Sequence, residues 1–160
     1  MRIALYSLAA IVLCTAAVSA APLVIARVSG PQAAQIMHMR HEGMESIGKN
    51  GKAINRALTG SSPDLAVVRG GAAQIASLAH QASGWFPAGT GPEMRKTGAK
   101  PEIWQNPEDF ASKLHNFQVA AGAFSAAASG SDVGVIKARF NDLEGACKAC
   151  HDKYRSEMHH

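Results

Sequence analysis

Two cysteines and a histidine near the C-terminus carry the clearest chemistry in this chain. Cys147, Cys150 and His151 are spaced as C-x-x-C-H, the attachment signature of a covalent c-type haem. Cysteines three residues apart lie on one face of a helix, so both thiols can reach one edge of a flat ligand and form thioethers with its vinyl groups. The adjacent imidazole can then bind the iron as its proximal ligand.

The same cysteine pair is compatible with three other sites. These are a structural disulfide, half of a zinc site and a thioredoxin-like dithiol. A zinc site usually takes four ligands from two such pairs, and a thioredoxin-like motif lies beside a βαβ pattern; the sequence offers neither. A disulfide suits an exported protein, but the histidine directly after the pair favours haem.

Residues 1–20 have the three parts of a secretory signal peptide. Arg2 supplies the charged start, an apolar stretch follows, and small residues precede the expected cleavage point. The apolar stretch is short and flanked as a signal, which argues against a permanent membrane span. Leu13 stands before Cys14 where lipid attachment requires a small residue, so lipidation is not favoured. We therefore expect export to the periplasm, signal removal, one domain over residues 21–160 and no stable membrane insertion.

Charge and composition exclude several classes of protein. The formal charge falls from +4 to +3 without the signal peptide, which carries one basic and no acidic residue. The absence of a Lys/Arg run argues against nucleic-acid binding, although mild basicity can favour acidic partners. No acid–base pair or nucleophile constellation predicts an enzyme, and Asp109, Asp142 and Glu144 are interpreted as solvated helix positions.

Apolar residues recur at alternating spacings of three and four, which predicts an all-α domain of four helices. A long connection rich in proline and glycine separates the second helix from the third, and Trp85, Phe86 and Trp104 are its expected anchors. Asn106 is the expected N-cap of the third helix. The predicted helices cover approximately residues 31–58, 64–81, 106–128 and 133–154.

The apolar stripes of three helices are rich in alanine and glycine, so their core should be underfilled unless a large group occupies it. The motif cysteines fall in the stripe of the last helix, which places a haem inside the bundle. Gly43, Gly48 and Gly51 each cost about 1 kcal/mol in a helix interior relative to alanine. They either let a large flat group approach the backbone or mark a locally weak helix.

The order of these features resembles the class II c-type cytochromes, the cytochrome c′ family. An Arg-x-x-x-Met helix comes first, AKPEIW follows at residues 99–104, and CKACHDKYR occupies residues 147–155. A haem motif near the C-terminus is diagnostic, because most other small c-type cytochromes carry theirs near the N-terminus. The resemblance implies an antiparallel up-down-up-down four-helix bundle with one covalent haem c in its core.

The resemblance also implies roles for individual residues. The two motif cysteines hold the haem, His151 is the proximal iron ligand, and Arg155 lies near the proximal face. Met44 on the first helix faces the other side of the iron. Arg40, one turn earlier, pairs with a haem propionate, a contact that a guanidinium makes well.

Members of this family differ at the sixth iron position. Some have a five-coordinate, high-spin iron that binds NO or CO, whereas others ligate a methionine and carry electrons. The segment 40–48 resembles the low-spin members, and a thioether ligand raises the reduction potential. We therefore expect Met44 to ligate the iron of a one-electron carrier serving redox partner proteins. The alternative is a packing role for Met44 beneath a gas-binding iron; His41 is a rival ligand, and the resemblance implies a homodimer through the first two helices.

Overall fold

The computed structural model describes residues 28–157, so the predicted signal peptide and Cys14 lie outside the described residues. Within this range, four long helices confirm the all-α prediction, and each bound lies within one residue of the expected one. The sequence prediction missed α3, a single helical turn inside the long connection. No described helix combines the length and apolar character that crossing a membrane requires. The helices are α1 (Gly30–Thr59), α2 (Leu65–Gln81), α3 (Glu102–Gln105), α4 (Pro107–Ala128) and α5 (Val133–Tyr154).

Aspartate side chains begin two of the long helices. Asp64 and Asp132 each accept hydrogen bonds from the backbone N–H groups of the second and third residues of α2 and α5. Asn106 precedes α4 but makes no side-chain cap, contrary to the prediction. Its amide nitrogen instead donates to the Glu102 carbonyl at 3.1 Å, because α3 ends directly before α4 and presents that acceptor.

The long helices form a four-helix bundle in which consecutive helices are neighbours. α1 packs on α2, α2 on α4, and α4 on α5. One end of the bundle is filled by large apolar side chains, among them Phe124, which is fully buried with its ring 5.3 Å from that of Phe140. Apolar side chains therefore pack one end of the bundle closely, and the other half can enclose a bound group.

Close packing explains one of the three unusual glycines of α1. A methyl group at Gly43 would overlap the ring of Trp85, which is buried against this turn of the helix. Gly43 therefore allows the start of the long connection to lie directly on α1. Trp85 is thus an anchor of the connection, as the sequence predicted.

The cap of α5 gives a stability prediction. Asp132→Ala should lower the free energy of unfolding by about 1 kcal/mol, because two N–H groups lose their acceptor. Asp142→Ala is the matched control, since Asp142 is exposed and pairs only with Arg139 on the surface; it should cost less than about 0.5 kcal/mol. Denaturant unfolding of the mature protein measures both, and equal losses would contradict the capping role.

Candidate haem site

A cavity of about 760 Å³ lies between the helices. This volume is in the range of sites that enclose a large organic ligand. α1 and α5 supply most of its wall, and α2, α4 and the long connection supply the rest. The cavity corresponds to the underfilled core that the alanine- and glycine-rich stripes predicted. Its apolar lining includes Met37, Ile47, Ile75, Phe117, Phe140 and Leu143.

The cysteines of the C-x-x-C-H motif both line this cavity as free, half-buried thiols. Burial is the largest cause that raises the pKa of Cys147, to about 11, and it also raises the pKa of Cys150. Both thiols are therefore protonated at neutral pH, unlike the thiolates of redox-active or nucleophilic cysteines. Within residues 28–157, neither cysteine belongs to a cluster of three metal-ligating side chains. These observations favour haem attachment over the dithiol and zinc alternatives.

His151 lines the same cavity, although part of its side chain is exposed to solvent. Burial and, to a smaller extent, the positive charge of Arg155 lower the pKa of its imidazole. The neutral form, which has a free nitrogen lone pair for a metal, is therefore favoured at neutral pH. Arg155 also lines the cavity, and its backbone N–H donates to the His151 carbonyl at 3.0 Å.

The α1 wall of the cavity presents two methionines. Met44 is half-buried and lines the cavity that His151 also lines, while its ligation of iron stays a prediction. Met37 lines the cavity too and is only 5% exposed. The sequence analysis did not select Met37, although it lies seven residues before Met44 and therefore on the same helical face. His41, the rival ligand, is exposed at this wall.

Arg40 is a buried cation in the α1 wall, with 5% of its surface exposed. Its guanidinium donates to the carbonyls of Trp85 and Thr90 and to the hydroxyls of Thr90 and Thr97. Burial lowers its pKa to about 10, so it remains positively charged at neutral pH. The predicted contact with a haem propionate stays a prediction, and the contacts that the structure shows are with the long connection.

The remaining unusual glycines of α1 face the cavity. Gly48 and Gly51 both line it, and a methyl group at either position would meet no neighbouring atom within 4 Å. The helix backbone is therefore bare toward the cavity over one turn, so a flat group can pack directly against it. Two thiols, a neutral imidazole, an apolar wall and this bare backbone together fit a covalently attached haem.

The motif helix is fixed to α4 at the edge of the cavity. Asp109 accepts hydrogen bonds from the Tyr154 hydroxyl and the Lys153 ammonium, and these bonds lower the pKa of the Asp109 carboxyl. Asp109 is therefore not merely a solvated helix position, as the sequence analysis expected. Its partners lie more than forty residues further along the chain, so local sequence gives no sign of them.

Comparisons with known proteins agree with this arrangement. A protein-family model described as Cytochrome C′ matches residues 35–155. Cytochrome c′ of Allochromatium vinosum is 34% identical over 121 residues, which are 74% of this chain and 78% of that protein. A solved cytochrome c′ with ligand-controlled dimer dissociation has a TM-score of 0.72 and 31% identity, covering 82% of this chain and all of that one. A nitric oxide complex of a variant cytochrome c prime from Alcaligenes xylosoxidans has a TM-score of 0.70 and 26% identity, covering 82% of this chain and 98% of that one.

The two cavity-facing glycines give a prediction about stability, in which replacement by alanine should destabilise the protein at these positions and stabilise it at control positions. Gly48→Ala and Gly51→Ala should destabilise the haem-containing protein by about 1–3 kcal/mol, because the added methyl group overpacks the site. Gly70→Ala and Gly122→Ala are the matched controls, since these helical glycines also have free space but do not line the cavity. The controls should gain up to about 1 kcal/mol from helix propensity. Thermal unfolding monitored at the haem absorbance measures all four, and stabilisation at residues 48 and 51 would contradict haem packing there.

Proposed function

Because the chain belongs to the cytochrome c′ family, we propose that it is an exported haem protein whose iron binds a small gas, nitric oxide or carbon monoxide, opposite His151. The family cofactor is one covalent haem c with iron. The observation that carries the proposal is that one cavity is lined both by the attachment motif and by apolar side chains of α1. The similarity of this chain to a cytochrome c prime variant that was solved as a nitric oxide complex supports the choice of ligand.

In this proposal, α5 provides the residues that attach the haem and bind its iron, and α1 provides the opposite wall of the site. Haem, when bound, would supply an iron able to bind a diatomic gas or to exchange one electron. Cys147 and Cys150 provide the thiols for attachment, and His151 provides a neutral imidazole nitrogen because burial lowers its pKa. Arg155 supplies positive charge beside that imidazole.

The α1 wall gives the site its selectivity in this proposal. Met37, Met44 and Ile47 present apolar surface to the cavity and no charged group of their own. Charged side chains of α1, among them Arg40 and Glu45, also line the cavity, so the selectivity is assigned to its apolar part. There, water and anions lose hydrogen bonds on entry, which disfavours them more strongly than a neutral diatomic molecule. Reversible binding of a gas needs no acid, base or nucleophile. We therefore propose that the protein is not an enzyme.

A second candidate function is one-electron transfer with Met44 as the sixth ligand of the iron. The observation in its favour is that Met44 and His151 line the same cavity from different helices. A thioether ligand would raise the reduction potential, and the mature charge would favour an acidic redox partner through a small, weak interface. The sequence analysis placed this function first; the similarity to cytochromes c′, one of them a nitric oxide complex, favours gas binding.

The proposed cellular context rests on the signal-peptide pattern of residues 1–20. We propose that residues 1–20 are removed on export, that residues 21–160 form the mature domain, and that this domain works in the periplasm. We also propose a homodimer through α1 and α2. A similar protein is described by its ligand-controlled dimer dissociation, which supports an assembly of this kind.

Substitution of Met44 separates the two functions. With gas binding, the reduced wild-type protein and Met44→Leu should both have broad high-spin spectra that shift on addition of CO. Met44→Ala should then bind CO more tightly, because truncation opens the α1 wall. Absorbance spectra of the oxidised and dithionite-reduced proteins, with and without CO, measure this. A sharp low-spin wild-type spectrum that ignores CO, and that Met44→Leu converts to high-spin, would instead establish ligation by Met44.

A further inference from the structure

We propose that residues 85–100, named here the strap, set the spacing between α1 and α5, and that Arg40 is the positioning residue that holds the strap. The spacing matters because α1 carries Met44 and α5 carries His151. The inference rests on the proposed haem site, and it assigns the control of the iron's distal face to a connection outside both helices.

α1 and α5 are not packed extensively on each other. In the described part of the chain, α1 packs extensively on α2, α2 on α4, and α4 on α5, whereas α1 and α5 are not among the extensively packed pairs. The cavity takes most of its wall from these two helices. Their separation at the cavity is otherwise held only through α2 and α4, so a segment that contacts both α1 and α5 can set it.

One end of the strap is bound to the C-terminal end of α5. The backbone N–H of Lys100 donates to the Tyr154 carbonyl at 3.0 Å, and that of Ser156 donates to the Gly98 carbonyl at 2.9 Å. These bonds form a short antiparallel bridge one helical turn after His151. The strap is therefore attached beside the proposed proximal ligand.

The strap is bound to α1 by the packing of Trp85 on Gly43 and by the hydrogen bonds of one side chain, Arg40. Nη1 donates to the Trp85 carbonyl at 3.2 Å and to the Thr90 hydroxyl at 3.3 Å. Nη2 donates to the Thr90 carbonyl at 3.0 Å and to the Thr97 hydroxyl at 3.2 Å. All four acceptors belong to the strap, and none of the ion pairs within residues 28–157 includes Arg40. Neutral groups of the strap therefore accept all of its hydrogen bonds, and the negative charge of Glu93, also in the strap, favours the charged form.

Contacts within and beneath the strap fix its conformation, so that it can hold α1 at a set distance from α5. Thr90 is fully buried, and its hydroxyl donates to the Pro87 carbonyl at 2.8 Å. The Trp104 indole N–H donates to the Phe86 and Pro87 carbonyls, each at 3.1 Å, which agrees with its predicted role as an anchor. The Arg40 guanidinium also lies 5.1 Å from the centre of the Phe86 ring, a cation–π contact.

The two attachment points lie next to the groups whose separation decides the state of the iron. Arg40 is one helical turn before Met44, and the bridge to α5 is one turn after His151. If either attachment is loosened, α1 can move relative to α5. The room available opposite His151 then changes, although neither Met44 nor His151 has been altered.

The test uses the haem-containing protein, two strap variants and a matched control. Thr97→Val keeps the positive charge but removes a hydroxyl that accepts from Arg40 and from the Ala99 N–H, so it loosens the strap at both attachments. Arg40→Gln removes the charge and most of the donors. Arg69→Gln is the control, because Arg69 also binds backbone carbonyls, those of Ala128 and Gly130, each at 3.1 Å, but does not line the cavity. The two readouts are trypsin cleavage after residues 95 and 96, which are exposed in the strap, and the absorbance spectrum during titration of the reduced protein with CO.

The proposal predicts that both strap variants change both readouts and that the control changes neither. Cleavage should be faster by about threefold to tenfold, the equivalent of one net hydrogen bond, and CO half-saturation should shift by at least about threefold. If Arg40→Gln shifts CO binding while Thr97→Val changes nothing, Arg40 acts through its charge on the cofactor, and the strap is overturned. The strap is equally overturned if Arg69→Gln has the same effects.

A wild-type protein that binds no CO would contradict the proposed function but not the strap. In that case the strap is judged by cleavage and by the spectrum of the reduced protein without added gas. Faster cleavage together with a changed low-spin fraction in Thr97→Val and Arg40→Gln supports it. An unchanged spectrum in both variants overturns it.

Discussion

Helices of a bundle usually hold their positions because side chains of one fill the grooves of the next. α1 and α5 lack this extensive contact, and the cavity of about 760 Å³ takes most of its wall from them. An apolar volume of this size is costly to leave without packing partners. The remaining structure is therefore arranged to surround a large group: small residues on the stripes, bare backbone at Gly48 and Gly51, and polar attachments at the edge.

α5 shows how one helix meets several demands of such a site. It must hold two thiols and an imidazole in one register, so its ends need to be fixed. The Asp132 side chain accepts hydrogen bonds from N–H groups of the first turn. Asp109 on α4 holds the last turn by accepting hydrogen bonds from Tyr154 and Lys153. The helix is thus fixed on both sides of the motif by contacts that the cofactor does not supply. The imidazole can then be presented in its neutral form from a stable backbone.

The sequence was sufficient for features encoded by local pattern and insufficient for those encoded by distant partners. Periodicity located the four long helices, and the C-x-x-C-H motif located the α5 side of the site. The role of Asp109 depends on Tyr154, and the cap expected at Asn106 was lost to the Glu102 carbonyl of α3. The glycines of α1 look alike in sequence, yet one faces Trp85 and two face the cavity. Only the fold distinguishes them.

The same reasoning explains why residue type alone does not decide between gas binding and electron transfer. A methionine on α1 can pack against an iron site or ligate it, because its unbranched, flexible side chain adapts to both arrangements. Coordination requires the sulfur to come within bonding distance, which is a property of helix spacing. In our proposal that spacing depends on the buried Arg40 and on the strap, which is distant in sequence from both proposed iron ligands. The proposal therefore makes the strap, rather than Met44 or His151, the part of the chain that would select between the two functions.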